Sequence, residues 1–97
     1  MILKDSRTIF RTTSVKNELG MHARPASRIA QMAESAQFGI WLHANSIKAD
    51  ATSVLDILSL CAAKETEIMV EIENKNDVHV LDQIVYFFEN GFGESQG

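Results

Sequence analysis

Glu67-Ile68-Met69-Val70-Glu71-Ile72-Glu73 alternates without a break, placing Ile68, Val70 and Ile72 on one side and the glutamates on the other. A period of two over seven residues predicts a strand with one buried face. Working toward the C-terminus, Asp77 stands where it caps a helix whose apolar stripe is Leu81, Ile84, Val85 and Phe88. Asn90-Gly91 then supplies the stop, because glycine accepts the left-handed geometry of a helix C-cap. Working toward the N-terminus, Ser53-Val54-Leu55-Asp56 opens a second helix that runs to about Ala62, with Ser53 as N-cap and Asp56 as a capping-box partner. Before it, Phe38–His43 and Ile47–Ala51 read as short strands joined through the turn residues Asn45-Ser46. Helical spacing of Ala26, Ile29, Ala30 and Ala33 predicts a first helix from Ala23 to about Ser35, and β-branched Thr8–Val15 a first strand. The order is β-α-β-β-α-β-α. It predicts an α+β fold: a four-stranded antiparallel sheet covered on one face by three helices.

A chain of 97 residues, 45% of them hydrophobic, suits a single domain spanning 1–97, with 1–7 as a short N-terminal extension. The apolar stretches are too short and too charged for membrane insertion; Asp56 interrupts the longest, Val54–Ala63. Met1–Arg7 has no basic region leading into an apolar one, so a signal peptide is not expected. Cys61 is the one cysteine. It excludes an internal disulfide, fits a cytoplasmic location, and reads as a small buried apolar residue. A net charge of −4 argues against nucleic acid as a partner.

Chemistry concentrates in Met21-His22-Ala23-Arg24-Pro25-Ala26, where a turn built on Asn17-Glu18-Leu19-Gly20 becomes the first helix. Proline is tolerated in a helix's first turn because the N–H it lacks has no partner there. His22 therefore stands beside free backbone donors and the positive end of the helix dipole. Imidazole is a nucleophile near neutral pH, and Arg24 with the helix N-terminus can stabilise an added phosphoryl group. A histidine before a helix is also a common cap or surface residue, so residue types alone leave both readings open. Glu18 is the only carboxylate close in sequence, and no glycine-rich nucleotide loop or magnesium cluster accompanies it. That combination suits a carrier rather than an enzyme.

Asn17-x-x-Gly20-Met21-His22-Ala23-Arg24-Pro25-Ala26 resembles the active-site segment of HPr, the histidine-containing phosphocarrier family of the phosphoenolpyruvate-dependent sugar phosphotransferase system. The likeness runs from Thr8 to Glu94, includes the element order, and extends to the ending Asn90-Gly91-Phe92-Gly93-Glu94. It implies an HPr-like open-faced β-sandwich. It implies phosphorylation of His22, on Nδ1, by Enzyme I, and passage of the phosphoryl group to Enzyme IIA components. Arg24 matches the arginine that supports that group. Ser53 matches a serine that HPr kinase/phosphorylase modifies in some members, where a transcriptional regulator can read the mark. Met21, Ala23, Arg28, Val54, Leu55 and Leu58 match a partner-docking surface, although Val54, Leu55 and Leu58 could equally be core, as Ile57 and Leu60 are expected to be. The resemblance implies no cofactor and no metal, and a monomer.

The chain also departs from the family. Thr52 stands where a lysine often precedes the serine. Asp56, Cys61 and Glu65 replace glycines common in and after the second helix, and Gln31 and Glu34 replace basic residues along the first. Because charge complementarity governs partner choice, two alternatives stay alongside the sugar pathway: the nitrogen-related branch, and a regulatory module of catabolite-repression type acting through partner binding. A small-ligand βαββαβ regulatory domain of the ACT type accounts for the pattern but not for His-Ala-Arg-Pro. The remaining candidates carry less. His43 lies in a strand, His79 near the start of the third helix, and neither has metal-ligand spacing to His22. Trp41 faces away from Ile40 and Leu42, under a helix or an edge loop, and Lys48 and Lys64 read as solvated charges.

Overall fold

The computed structural model describes residues 8–94. The expected extension, residues 1–7, lies outside them. Four strands, β1 (Ile9–Ser14), β2 (Ile40–Ala44), β3 (Ile47–Asp50) and β4 (Glu67–Ile72), form one sheet in the order β1-β4-β2-β3. Every neighbouring pair is antiparallel. The helices are α1 (Ala23–Glu34), α2 (Val54–Ser59) and α3 (Val78–Glu89), and they cover one face. This is the open-faced sandwich that the element order implied.

The alternation of β4 decides which face is covered. Ile68, Val70 and Ile72 are fully buried, as are Ile40 and Leu42 across the ladder on β2. Against them pack Ala26 and Ile29 of α1, Ile57 of α2, and Leu81, Ile84 and Phe88 of α3. Each large aliphatic side chain taken out of water in this way contributes about 1.5–3 kcal/mol. Register places Arg11 and Thr13 of the edge strand on the same face. Their polar ends meet α3: Arg11 donates to Asp82 at 2.6 Å, and the Thr13 hydroxyl donates to Glu89. That second bond holds the Glu89 carboxyl below its usual range.

Several expectations need correction. The second helix ends at Ser59 rather than Ala62, because Cys61 takes a left-handed φ of 51°. Cys61 is exposed, not buried. Ser53 does cap α2, accepting from the Asp56 N–H at 3.2 Å. The Asp56 carboxylate does not complete the box, however; it accepts instead from the Asp50 N–H at 3.3 Å. Asp77 occupies the N-cap position of α3 without a side-chain cap bond. Its fully buried carboxylate accepts from the N–H groups of Gln37 and Phe38, at 2.8 and 2.9 Å, and so staples the α1–β2 connection to α3.

The open face carries several paired polar groups. Trp41 lies here rather than beneath a helix, donating from Nε1 to Glu73 at 2.8 Å. Lys48 is not an idle charge: its ammonium sits 4.5 Å from the centre of the Trp41 ring. Lys64 pairs with Glu18, and this hydrogen bond holds the ammonium above its ordinary pKa.

Candidate functional site

His22 is the N-cap of α1, in extended geometry, and its side chain makes no cap bond. The imidazole is therefore free to do something else. Its backbone carbonyl accepts from the Ala26 N–H at 3.0 Å, which closes the first turn. Pro25 fits that turn, while the N–H groups of Ala23 and Arg24 have no partner within the helix.

The approach to His22 is held from behind. Gly20 has a φ of +71°, and a Cβ there would come within 2.9 Å of the Ala62 carbonyl oxygen. Only glycine meets both conditions without rearrangement. Met21 donates its N–H to the same oxygen at 2.8 Å, so the turn before α1 is pinned to the connection between α2 and β4.

The other side of the site comes from the far end of the chain. After α3, Phe92 adopts a φ of 61° and packs its ring 5.1 Å from those of both Phe87 and Phe88. That anchor turns Glu94 back toward α1. His22 Nε2 donates to Glu94 Oε2 at 2.6 Å. Asn17, 1% exposed, donates to Glu94 Oε1 at 2.7 Å and to the Gly20 carbonyl at 3.0 Å. An ionised carboxylate only accepts, so Nε2 carries a proton and, in the neutral ring, Nδ1 keeps its lone pair.

His22 and Glu94 frame an open cleft of about 410 Å³ that is also lined by Glu18, Leu19, Arg24 and Arg28. Arg24 and Arg28 are exposed, and the Arg28 guanidinium rests 5.8 Å from the Phe87 ring centre. The structure thus brings His22, Arg24 and Arg28 together. Ser53, Val54, Leu55 and Leu58 lie outside the cleft, on α2, which packs against α1. Of these Leu55 is 79% exposed, Val54 and Leu58 are half-buried, and Ile57 and Leu60 are core. Met21 is half-buried and Ala23 exposed.

Sequence reading missed the partner of His22. Glu18, the carboxylate near it in sequence, is engaged with Lys64; Glu94, 72 residues away, makes the bond. The signal was the ending Gly91-Phe92-Gly93-Glu94, which marked a tight turn without showing where it led. Leu19, 74% exposed at the cleft edge, was also missed.

The arrangement offers a ring nitrogen with a free lone pair, two guanidinium groups and first-turn N–H groups without a partner in the helix around one opening. That is a setting for a phosphoryl group. Comparison with known proteins agrees. A family model described as the PTS HPr component phosphorylation site matches residues 9–90. Phosphocarrier protein NPr of Proteus mirabilis is 33% identical over 88 residues, covering 90% of this chain and 98% of the relative. Phosphocarrier protein HPr of Treponema pallidum is 31% identical over 86 residues, covering 89% and 98%. Among solved structures, HPr of Thermoanaerobacter tengcongensis superposes with a TM-score of 0.82 at 29% identity, covering 90% of this chain and 98% of that one. With the fold, the cleft and these relatives in agreement, the chain belongs to the HPr family of phosphocarrier proteins.

Proposed function

We propose that His22 accepts a phosphoryl group from phospho-Enzyme I and passes it to an Enzyme IIA component. The observation that carries this reading is the imidazole at the N-cap of α1, with Nε2 engaged by Glu94 at 2.6 Å and Nδ1 free of that bond. The lone pair on Nδ1 attacks phosphorus while the donor's N–P bond breaks, and that electron pair stays on the donor nitrogen. Arg24 and the first-turn N–H groups neutralise charge on the phosphoryl oxygens as it crosses. Passage to the acceptor is the same step with His22 as leaving group. Such a site needs no nucleotide and no hydrolytic base, so the protein acts as a carrier between enzymes.

Docking in this reading uses the surface around the opening: Met21, Ala23 and Arg28, with Val54, Leu55 and Leu58 on the neighbouring helix. The exposure of Leu55 supports its part in this. Ser53 is a candidate for regulatory phosphorylation at the start of α2, where a phosphate would add charge to that surface without opposing the helix dipole. A nitrogen-related role is the second reading, favoured by the relatives named NPr and by the exposed Gln31 and Glu34 on α1.

Intact mass after incubation with phosphoenolpyruvate and a generic Enzyme I tests the proposal. One added phosphate, removed by mild acid and absent in His22→Ala, is the expected result. Equal labelling of folded His22→Ala would overturn it.

A further inference from the structure

Building on the phosphocarrier reading, we infer that Glu94 is a positioning residue: held by Asn17, it fixes His22 as the tautomer that presents Nδ1 to the phosphoryl group. Three observations lead there. First, the contact is made by the Glu94 side chain and is short, 2.6 Å from Oε2 to His22 Nε2, with the carboxyl group 15% and the imidazole 33% exposed. A carboxylate at that place accepts only from a protonated Nε2, so the competing tautomer, with its proton on Nδ1, loses the bond.

Second, the carboxylate is itself held. Both Nδ2 protons of buried Asn17 go to acceptors, one to Glu94 Oε1 and one to the Gly20 carbonyl. Turning the amide over would aim its oxygen at two other oxygens. The orientation is therefore fixed, and it is kept although Asn17 Oδ1 is buried without a partner among the described residues. An orphaned buried acceptor is unfavourable; here it accompanies a geometry that serves Glu94 and the turn before His22 at once. Third, the segment carrying Glu94 is seated by Phe92 between Phe87 and Phe88, so the carboxylate arrives on a packed anchor.

The consequence for transfer is electrostatic as well as geometric. When Nδ1 bonds phosphorus and the donor nitrogen departs with its electron pair, no proton moves and the His22 ring gains positive charge. That charge reaches Nε2–H, which already faces the Glu94 carboxylate. The interaction strengthens as the bond forms, which is the condition for accelerating a step rather than only tightening a ground state.

The test uses nitrogen-15 NMR of the whole protein, reading the imidazole tautomer of His22 in wild type and in Glu94→Ala, alongside the initial rate of phosphorylation by Enzyme I and phosphoenolpyruvate. The wild-type ring is expected to carry its proton on Nε2 alone. Glu94→Ala is expected to show a mixture of tautomers at His22 and none of that change at His43, with a rate lower by about tenfold and an unaltered backbone amide spectrum elsewhere. An unchanged tautomer in Glu94→Ala overturns the inference whatever the rate, and so does a changed tautomer with an unchanged rate. Failure of wild type to accept phosphate on His22 would instead overturn the carrier reading, and the tautomer measurement would still decide whether Glu94 orients the ring.

Discussion

His22 and His43 each donate from Nε2 to a glutamate, at 2.6 and 2.7 Å, and the two pairs are buried to similar extents. Their surroundings differ. His43 lies on the open face of the sheet, facing Lys48 on one side and Met69 on the other, and the Lys48 ammonium is drawn over Trp41. His22 stands at a helix N-terminus with two arginines lining the same opening. Size does not separate the two places: the concavity beside His43, about 600 Å³, exceeds the 410 Å³ cleft at His22. What separates them is the supply of groups that bind an anion. A histidine–carboxylate pair sets a tautomer; a helix end and guanidinium groups make that tautomer useful to a phosphoryl group.

The largest effect follows directly. His22→Ala should abolish acid-labile phosphorylation, whereas His43→Ala should leave the labelling rate within about twofold, a difference too small to mark a lost catalytic interaction. Acid-labile phosphate found on His43 by peptide mapping would break the comparison, since the pair chemistry alone would then suffice. Next in size, Arg24→Ala should slow transfer by roughly 10²-fold, in line with losing one preorganised charge-stabilising group, with its thermal midpoint unchanged. Equal rates for Arg24→Ala and wild type would remove the arginine from the account.

The contrast also bears on what the chain revealed before its structure was known. Strand β4 and the core face were legible because a period of two over Ile68, Val70 and Ile72 has one physical meaning. The position of His22 was legible because Pro25 and the helical spacing after it place a helix start. Glu94 was not, since a contact across 72 residues leaves no local period and depends on how Phe92 turns the chain. Asp77 was half legible: its place before α3 was right, but its carboxylate serves Gln37 and Phe38 in the α1–β2 connection, some 40 residues away in sequence. Local propensity identifies a residue that likes to bind backbone N–H groups without saying whose. Cys61 was misread because lone cysteines are commonly buried, and its left-handed backbone turned it outward instead.

Asp77 sharpens the comparison by separating fold from chemistry. Asp77→Ala leaves two backbone N–H groups without their charged acceptor and should lower stability by about 2–4 kcal/mol. Denaturant unfolding would measure this, and the labelling rate of the folded fraction should not move. A stability change below 1 kcal/mol would mean water replaces the staple.

The smallest expected effect concerns the backbone that steadies each histidine. Near His43, the hairpin residues Asn45 and Ser46 have φ of 52° and 66°; near His22, Cys61 and Glu65 have φ of 51° and 74° and bracket the Ala62–Ala63 peptide that pins Gly20 and Met21. Left-handed geometry costs a residue with a Cβ about 1–2 kcal/mol, while glycine brings back roughly 0.5–1 kcal/mol of unfolded-state entropy. The balance favours glycine slightly. Glu65 cannot relax by moving, because its N–H is bound to the Val15 carbonyl at 2.7 Å. Glu65→Gly should therefore stabilise the fold by about 0.5 kcal/mol, raising the melting midpoint by roughly 2–4 °C for a domain of this size. Ser46→Gly should do the same in the β2–β3 hairpin, which lies at the same end of the sheet. Neither should alter His22 labelling, because both remove strain from supports without moving them. If Glu65→Gly changed the labelling rate while Ser46→Gly did not, the support behind His22 would be part of the transfer machinery, and the difference between the two histidines would begin in the backbone rather than in the side chains around the cleft.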